Sequence, residues 1–170
     1  FIFIIDRSGS MSWRFKKSKS SKSRFDVVCE SLRDFLESLE PDKEFVVYTF
    51  NHQSFVMPGA SCKKNEKCEI IRLQKSTPEN VASATKWIET KQRPSGTTNP
   101  MVAFVDAMNQ KADTIYFLTD GQFGRHAALL RYIEKKKGKT KINTIGVGGQ
   151  ADMTILMKIA QKTGGECIRR

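Results

Sequence analysis

The residues with the clearest chemical character lie in the short stretch Asp6-Arg7-Ser8-Gly9-Ser10. Asp6, Ser8 and Ser10 stand at alternate positions and offer hard oxygen donors, which suit Mg²⁺ or Mn²⁺ better than a metal that prefers thiolates. The stretch follows the apolar run Phe1 to Ile5, which has no alternation and favours a strand buried on both faces of a parallel sheet. Such a strand would deliver the three side chains to the carboxyl edge of the sheet, where open α/β folds hold their ligands.

Two later stretches present oxygen ligands in a similar setting. Gly96-Thr97-Thr98-Asn99 precedes an amphipathic helix, and Thr119-Asp120-Gly121 follows a second apolar strand, Ile115 to Leu118. Together with the first stretch they resemble three motifs of the von Willebrand factor type A family: D-x-S-x-S, a distal Thr in a G-[GT]-T-N loop, and an Asp in T-D-G. The motifs occur in the family's order, and the resemblance runs from Phe1 to about Arg170.

The resemblance implies a fold, a ligand set and a function. The fold would be α/β, with one domain over residues 1–170 and a doubly wound, mostly parallel sheet of strand order 3-2-1-4-5-6 flanked by helices. In the family's metal-ion-dependent adhesion site, Ser8, Ser10 and Thr98 would bind Mg²⁺ (or Mn²⁺) directly, while Asp6 and Asp120 would often act through water. An Asp or Glu of a partner protein would fill the open position, which makes the chain a non-catalytic protein-binding module.

Two residues depart from the family pattern. Thr97 stands where a Gly usually precedes the distal Thr, so Thr98 is favoured over Thr97 without being settled by the motif. Pro100 stands where the family often has a small polar residue. Neither departure removes a ligand, and the sequence therefore predicts a functional metal site.

Strand and helix patterns alternate along the chain, which is typical of βαβ units in a parallel sheet. Apolar residues at helical spacing predict a first helix from Arg24 to Glu40, with Ser23 as its cap and Pro41 as its stop. The other predicted helices cover residues 76–91, 98–110, 127–137 and 152–163, and the later strands cover 44–50, 54–57, 114–119, 141–147 and 166–168. A short segment at 69–73 is also expected, and the chain, which begins on a strand, is expected to be an excerpt of a longer protein.

The net charge of +11 favours acidic partners and allows non-specific binding to nucleic acid or anionic lipid. Residues 11–24 contain no acidic side chain and predict a solvated loop. Its basic residues are expected at the rim of the metal site, where they would steer an acidic partner, unless the loop is only a linker. These residues are Arg14, Lys16, Lys17, Lys19, Lys22 and Arg24.

Two other functions compete with metal-dependent protein binding. The first is nucleic-acid or anionic-surface binding through the basic 14–24 loop, although only Trp13 and Phe15 could stack on bases there. The second is an accessory role in an ATPase- or chelatase-type assembly. The D-R-S-G-S-M opening is common in similar domains of bacterial envelope proteins. It therefore favours a membrane-anchored protein whose anchor lies outside this chain.

The cysteines and histidines give weaker signals. Cys29 lies on the apolar face of the first predicted helix and is expected to be buried. Cys62 and Cys68 bracket a charged loop and could form a local disulfide in an oxidising compartment, or a partial zinc site with His52. His126 is interpreted as a surface residue at a helix start. No general base adjoins the metal motif, and no phosphate-binding glycine loop follows a strand, so the sequence does not favour an enzyme.

Overall fold

The chain folds into a central sheet with helices packed on both faces, and the computed structural model describes residues 1–15, 22–60 and 71–170. The strands are β1 (Ile2–Asp6), β2 (Glu44–Phe50), β3 (Ser54–Val56), β4 (Gln74–Lys75), β5 (Thr114–Thr119), β6 (Lys141–Gly146) and β7 (Cys167–Arg169). The helices are α1 (Arg24–Ser38), α2 (Pro78–Lys91), α3 (Pro100–Met108), α4 (His126–Lys136) and α5 (Met153–Thr163), and a 3-10 turn covers Gly9–Ser12. None of the helices in the described ranges is long and apolar enough to cross a membrane.

The order of strands in the sheet is β3-β2-β1-β5-β6-β7, with β4 paired to β2 outside this path. The pairs of β1 with β2, β1 with β5, β5 with β6 and β6 with β7 are parallel, whereas β3 and β4 run antiparallel to β2. Without the two-residue β4, this is the predicted order 3-2-1-4-5-6. The predicted fold class is therefore confirmed, and β1 with β5 forms the centre of the sheet.

Aromatic side chains show how the two faces of the sheet are covered. On one face, Phe35 of α1 packs edge-on against Phe3 of β1, with ring centroids 5.2 Å apart, and Phe3 stacks on Tyr116 of β5 at 5.4 Å. On the other face, Phe104 of α3 packs edge-on against Phe117 of β5 at 5.0 Å. Since β1 is buried along its whole length, its apolar sequence without alternation is explained by helices on both sides.

The predicted elements agree with the structure apart from small shifts at their ends. Ser23 caps α1 in a reciprocal capping box with Asp26, and Thr77 caps α2. The strand β4 was not predicted, because two residues carry no periodicity. The first two residues of the expected segment at 69–73 lie outside the described residues, and its last three residues form no regular element.

The cysteines of the described part of the chain are free thiols. Cys29 is buried on α1, as predicted, and Cys167 is half-buried on β7. Burial raises the pKa of Cys29 to about 12, and nearby acidic groups, chiefly Asp26, add to the effect. Cys62 and Cys68 lie outside the described residues, so the predicted disulfide and the zinc alternative remain predictions.

We expect Cys29 in the native domain to resist alkylation, because the thiolate is the nucleophile and its formation is suppressed well beyond pH 8. Iodoacetamide labelling at pH 8 followed by peptide mapping should modify Cys167 first and Cys29 only after denaturation. Labelling of both cysteines at equal rates in the folded protein would contradict this burial.

Candidate metal centre

The first strand ends in a buried carboxylate that organises the loop after it. Asp6 is fully buried, and its Oδ1 accepts a hydrogen bond from the backbone N–H of Ser8 at 2.8 Å. The chain then enters the 3-10 turn, which leaves the Ser8 and Ser10 hydroxyl oxygens 3.3 Å apart. Three of the predicted ligand residues thus lie together at the carboxyl end of β1.

Strand β5 places the second carboxylate beside the first. Ile5 of β1 pairs with Leu118 of β5, so both strands end at the same level of the sheet. Thr119 Oγ1 donates a hydrogen bond to Asp6 Oδ2 at 2.6 Å, and the next residue, Asp120, is fully buried. The predicted proximity of Asp6 and Asp120 follows directly from this parallel pairing.

The loop that carries Thr98 is bound to the first motif through its backbone. Gly9 N–H donates to the carbonyl oxygen of Gly96 at 3.0 Å, and Ser95 N–H donates to the carbonyl oxygen of Arg7 at 2.8 Å. Thr98 follows two residues later and is half-buried, whereas Thr97 is exposed. Because Thr98 is less exposed than Thr97, it is favoured as the residue whose side chain points away from solvent.

Arg7, the variable position of the first motif, holds this second loop. Its guanidinium donates to Gln92 Oε1 at 2.8 Å and to Ser95 Oγ at 3.2 Å, and it lies 4.8 Å from the ring centre of Phe55. The sequence predicted no role for Arg7. Its position inside the motif was the only local signal of a role, because its partners Gln92 and Ser95 lie more than 80 residues away in the sequence.

The electrostatics of the site are dominated by the burial of its two carboxylates. Burial raises the pKa of Asp6 to about 6, hydrogen bonds from Ser8 and Thr119 oppose the rise, and the charge of Asp120 adds to it. The two carboxylates therefore interact, and Asp6 lacks a cationic partner of its own among the described contacts. Two interacting buried carboxylates of this kind favour the binding of a cation.

Arg24 lies at the site, as predicted, but it is buried and not exposed. It was expected on the exposed rim of the site, but it is the first residue of α1 and only 6 % exposed. Its guanidinium donates to Asp120 Oδ2 at 2.8 Å. A run of basic residues favours solvent exposure, and nothing local in that run indicates a carboxylate that arrives from another strand.

The other rim residues are only partly described. Arg14 is exposed, and Lys22 forms an ion pair with Glu30 at 2.6 Å. Lys16, Lys17 and Lys19 lie outside the described residues, so their predicted rim position remains a prediction. His126 begins α4 and packs edge-on against Phe123, in agreement with its interpretation as a helix-start residue, although it is half-buried.

The chemistry of the donor set fits a hard divalent cation. The described residues contain no group of three or more His, Cys, Asp or Glu side chains that could hold a metal, and the oxygen donors that accompany Asp6 at the end of β1 are the hydroxyls of Ser8 and Ser10. Both oxygens of Asp120 already accept hydrogen bonds, from Arg24 and from the N–H of Gln122 at 3.0 Å. The carboxylates are thus suited to binding through water, and the Ser8 and Ser10 hydroxyls are suited to direct contact.

Comparison with known proteins identifies the family. The sequence profile of the von Willebrand factor type A domain matches residues 2–167. The chain belongs to the von Willebrand factor type A domain family, whose domains generally serve as protein-interaction modules. The resemblance inferred from the three motifs is therefore confirmed.

The relatives are distant and much longer than this chain. A von Willebrand factor A domain-containing protein of Dictyostelium discoideum is 24% identical over 170 residues, covering 97% of this chain and 16% of its own length. Von Willebrand factor A domain-containing protein 5A of Mus musculus is 23% identical over 170 residues, covering 99% of this chain and 20% of its own length. The chain thus spans a fifth or less of these two curated relatives.

Solved structures share the fold. A von Willebrand factor type A protein from Catenulispora acidiphila superposes with a TM-score of 0.76 and 20% identity, covering 99% of this chain and 38% of that one. An aerotolerance-related membrane protein from Bacteroides fragilis gives 0.71 and 16%, covering 99% and 90% of the two chains. At these identities the likeness concerns the backbone architecture.

Gly148→Ala should destabilise the domain, because Gly148 has φ +95° and an added Cβ would lie 2.8 Å from Arg24 Nε. The combined strain and clash should lower the free energy of unfolding by about 2 kcal/mol. Urea denaturation is the measurement. Gly149→Ala is the matched control, since nothing lies within 4 Å of its Cβ position. Equal stability of the two variants would mean that Arg24 does not pack against Gly148.

Proposed function

We propose that this domain is a metal-dependent protein-binding module that holds Mg²⁺ or Mn²⁺ at the carboxyl edge of the sheet and captures an acidic side chain of a partner. The observation that carries the proposal is the convergence of Asp6, Ser8 and Ser10 with Asp120 at the ends of two neighbouring parallel strands. Membership of the von Willebrand factor type A family supports the same function.

In this proposal, each residue has a distinct task. The Ser8 and Ser10 hydroxyls, with that of Thr98 from the second loop, ligate the cation through neutral oxygens. Asp6 and Asp120 accept hydrogen bonds from water molecules on the cation and supply negative charge without direct contact. The cation, when bound, supplies a Lewis-acidic position to which a carboxylate of the partner can bind.

Neutral ligands matter for the capture of an acidic partner. A cation held mainly by hydroxyls keeps more positive charge than one surrounded by carboxylates, and it therefore attracts a further anion more strongly. The net charge of +11 on the whole chain acts in the same direction at longer range, where it accelerates the approach of acidic partners. The ligand class proposed is thus an Asp or Glu side chain on a protein surface.

Mg²⁺ or Mn²⁺ should raise the melting temperature of the wild-type domain, and Asp6→Ala should abolish the shift. A ligand that binds only the native state stabilises it by about 2.7 kcal/mol at 100 times its Kd. Because Asp6→Ala also removes two hydrogen bonds, the comparison is between the melting temperatures of each variant with EDTA and with metal. Asp34→Ala, which changes an exposed carboxylate on α1, should keep the wild-type shift.

Equal metal-induced shifts in wild type and Asp6→Ala would refute the proposed site. The same preparations separate the proposal from nucleic-acid binding through the basic 14–24 loop. Partner binding that is lost with EDTA at constant salt supports the metal site. Binding of an oligonucleotide that ignores EDTA and falls steeply with salt supports the basic loop instead.

Thr98→Val should remove most of the metal-induced shift, whereas Thr97→Val should preserve it. Valine keeps the shape of threonine and deletes only the hydroxyl, so both variants should fold with similar stability in EDTA. The motivation is that Thr98 is half-buried and Thr97 exposed on a loop that is hydrogen-bonded to Gly9. Titration of Mn²⁺ by isothermal calorimetry decides between the two threonines, and the opposite pattern would reassign the ligand to Thr97.

The wider setting of the domain stays a prediction. The predicted bacterial envelope location and the alternative role in an ATPase- or chelatase-type assembly both concern segments outside this chain.

A further inference from the structure

A buried guanidinium stands inside a site that is otherwise built for a metal cation. Arg24 Nη1 lies 2.8 Å from Asp120 Oδ2, and the two side chains are 7% and 0% exposed. The pair is therefore largely shielded from solvent, and its charges act on the site at low effective dielectric.

Contacts with two other segments of the chain hold Arg24 in this position. Its backbone N–H donates to the carbonyl oxygen of Trp13 at 2.9 Å, and its guanidinium carbon lies 5.2 Å from the centre of the Trp13 ring. Gly148, after β6, leaves the room that the side chain occupies. Because Arg24 is fixed by packing as well as by its ion pair, its charge is a permanent component of the site.

Arg24 changes the net charge of the site. Ionised Asp6 and Asp120 with Arg24 leave one net negative charge. A divalent cation converts this to one net positive charge, which a single partner carboxylate neutralises. Without Arg24 the loaded site would be neutral before any partner arrived, and its attraction for a carboxylate would be weaker.

We propose that Arg24 supplies a permanent positive charge within the metal site. This charge lowers the affinity of the site for the divalent cation, and it raises the affinity of the metal-loaded site for a carboxylate. This inference rests on the proposed function and assigns Arg24 as a positioning and specificity-determining residue of that site. By occupying Asp120 Oδ2, the guanidinium also keeps this carboxylate from binding the cation through that oxygen. The site then depends on neutral hydroxyls for its direct ligands.

The test compares Arg24→Gln with Arg24→Lys. Glutamine removes the charge while retaining an N–H that can donate to Asp120, and lysine retains the charge. Arg33→Gln is the matched control, because Arg33 lies on the same helix and pairs with Glu89 in a half-exposed ion pair away from the site. Mn²⁺ affinity is measured by calorimetry, and melting temperatures are measured in EDTA, in saturating Mn²⁺, and in Mn²⁺ with added acetate.

Arg24→Gln should bind Mn²⁺ about tenfold more tightly than wild type, because a like charge close to the cation has been removed. It should melt lower than wild type in EDTA, where Asp120 loses its ionic partner, and show a larger shift with Mn²⁺. Acetate should stabilise the loaded wild type more than loaded Arg24→Gln. Arg24→Lys and Arg33→Gln should both bind Mn²⁺ with wild-type affinity.

The failures of the two proposals are distinguishable. The role of Arg24 is overturned if wild type and Arg24→Gln bind Mn²⁺ with equal affinity, or if Arg24→Lys binds it as tightly as Arg24→Gln. Either result would leave the proposed metal site unaffected. An Arg24→Gln protein that folds only on addition of Mn²⁺ supports the role. If Arg24→Gln binds Mn²⁺ and wild type does not, the role of Arg24 is supported. The same result would contradict metal-dependent partner binding by the native domain. The absence of binding by every variant overturns both.

Discussion

The rest of the structure depends on two carboxylates that are buried side by side where the central parallel strands end. Because β1 and β5 pair in parallel and stop at the same level, Asp6 and Asp120 lie close together and are both fully buried. A buried carboxylate is tolerated only when its oxygens are hydrogen-bonded or its charge is compensated. Donors from Ser8, Thr119, Gln122 and Arg24 meet this requirement and leave one charge uncompensated for a cation.

The same requirement explains why several loops meet at this edge of the sheet. The turn after β1 is bonded to the Gly96 loop, and the carbonyl oxygen of Asp120 accepts from the backbone N–H of Asp152 at 2.9 Å. Arg24, the first residue of α1, connects this helix to the end of β5 through its contact with Asp120. The site is consequently held by contacts between segments distant in sequence, which favours a fixed geometry over an adaptable one.

Most of the fold could be predicted, because its signals are local and repeated. The uninterrupted apolar run of β1 predicted a strand covered on both faces, and the periodicity after Arg24 predicted α1. The motif Asp6-x-Ser8-x-Ser10 predicted a cluster of oxygen donors, since the turn that gathers them is encoded within five residues. The strand β4 was missed because its two residues are paired by the fold and have no pattern of their own.

The sequence by itself determined the strands, the helices and the residue types that could ligate a hard cation, because these depend on neighbours within one or two turns of chain. Only the tertiary structure decided how the charges of the site are balanced. Arg24 and Asp120 are 96 positions apart, and the basic composition around Arg24 predicted exposure. Their pairing is decided by strand order and by the room beside Gly148, and a long-range contact of this kind leaves no local pattern by which a single sequence could reveal it.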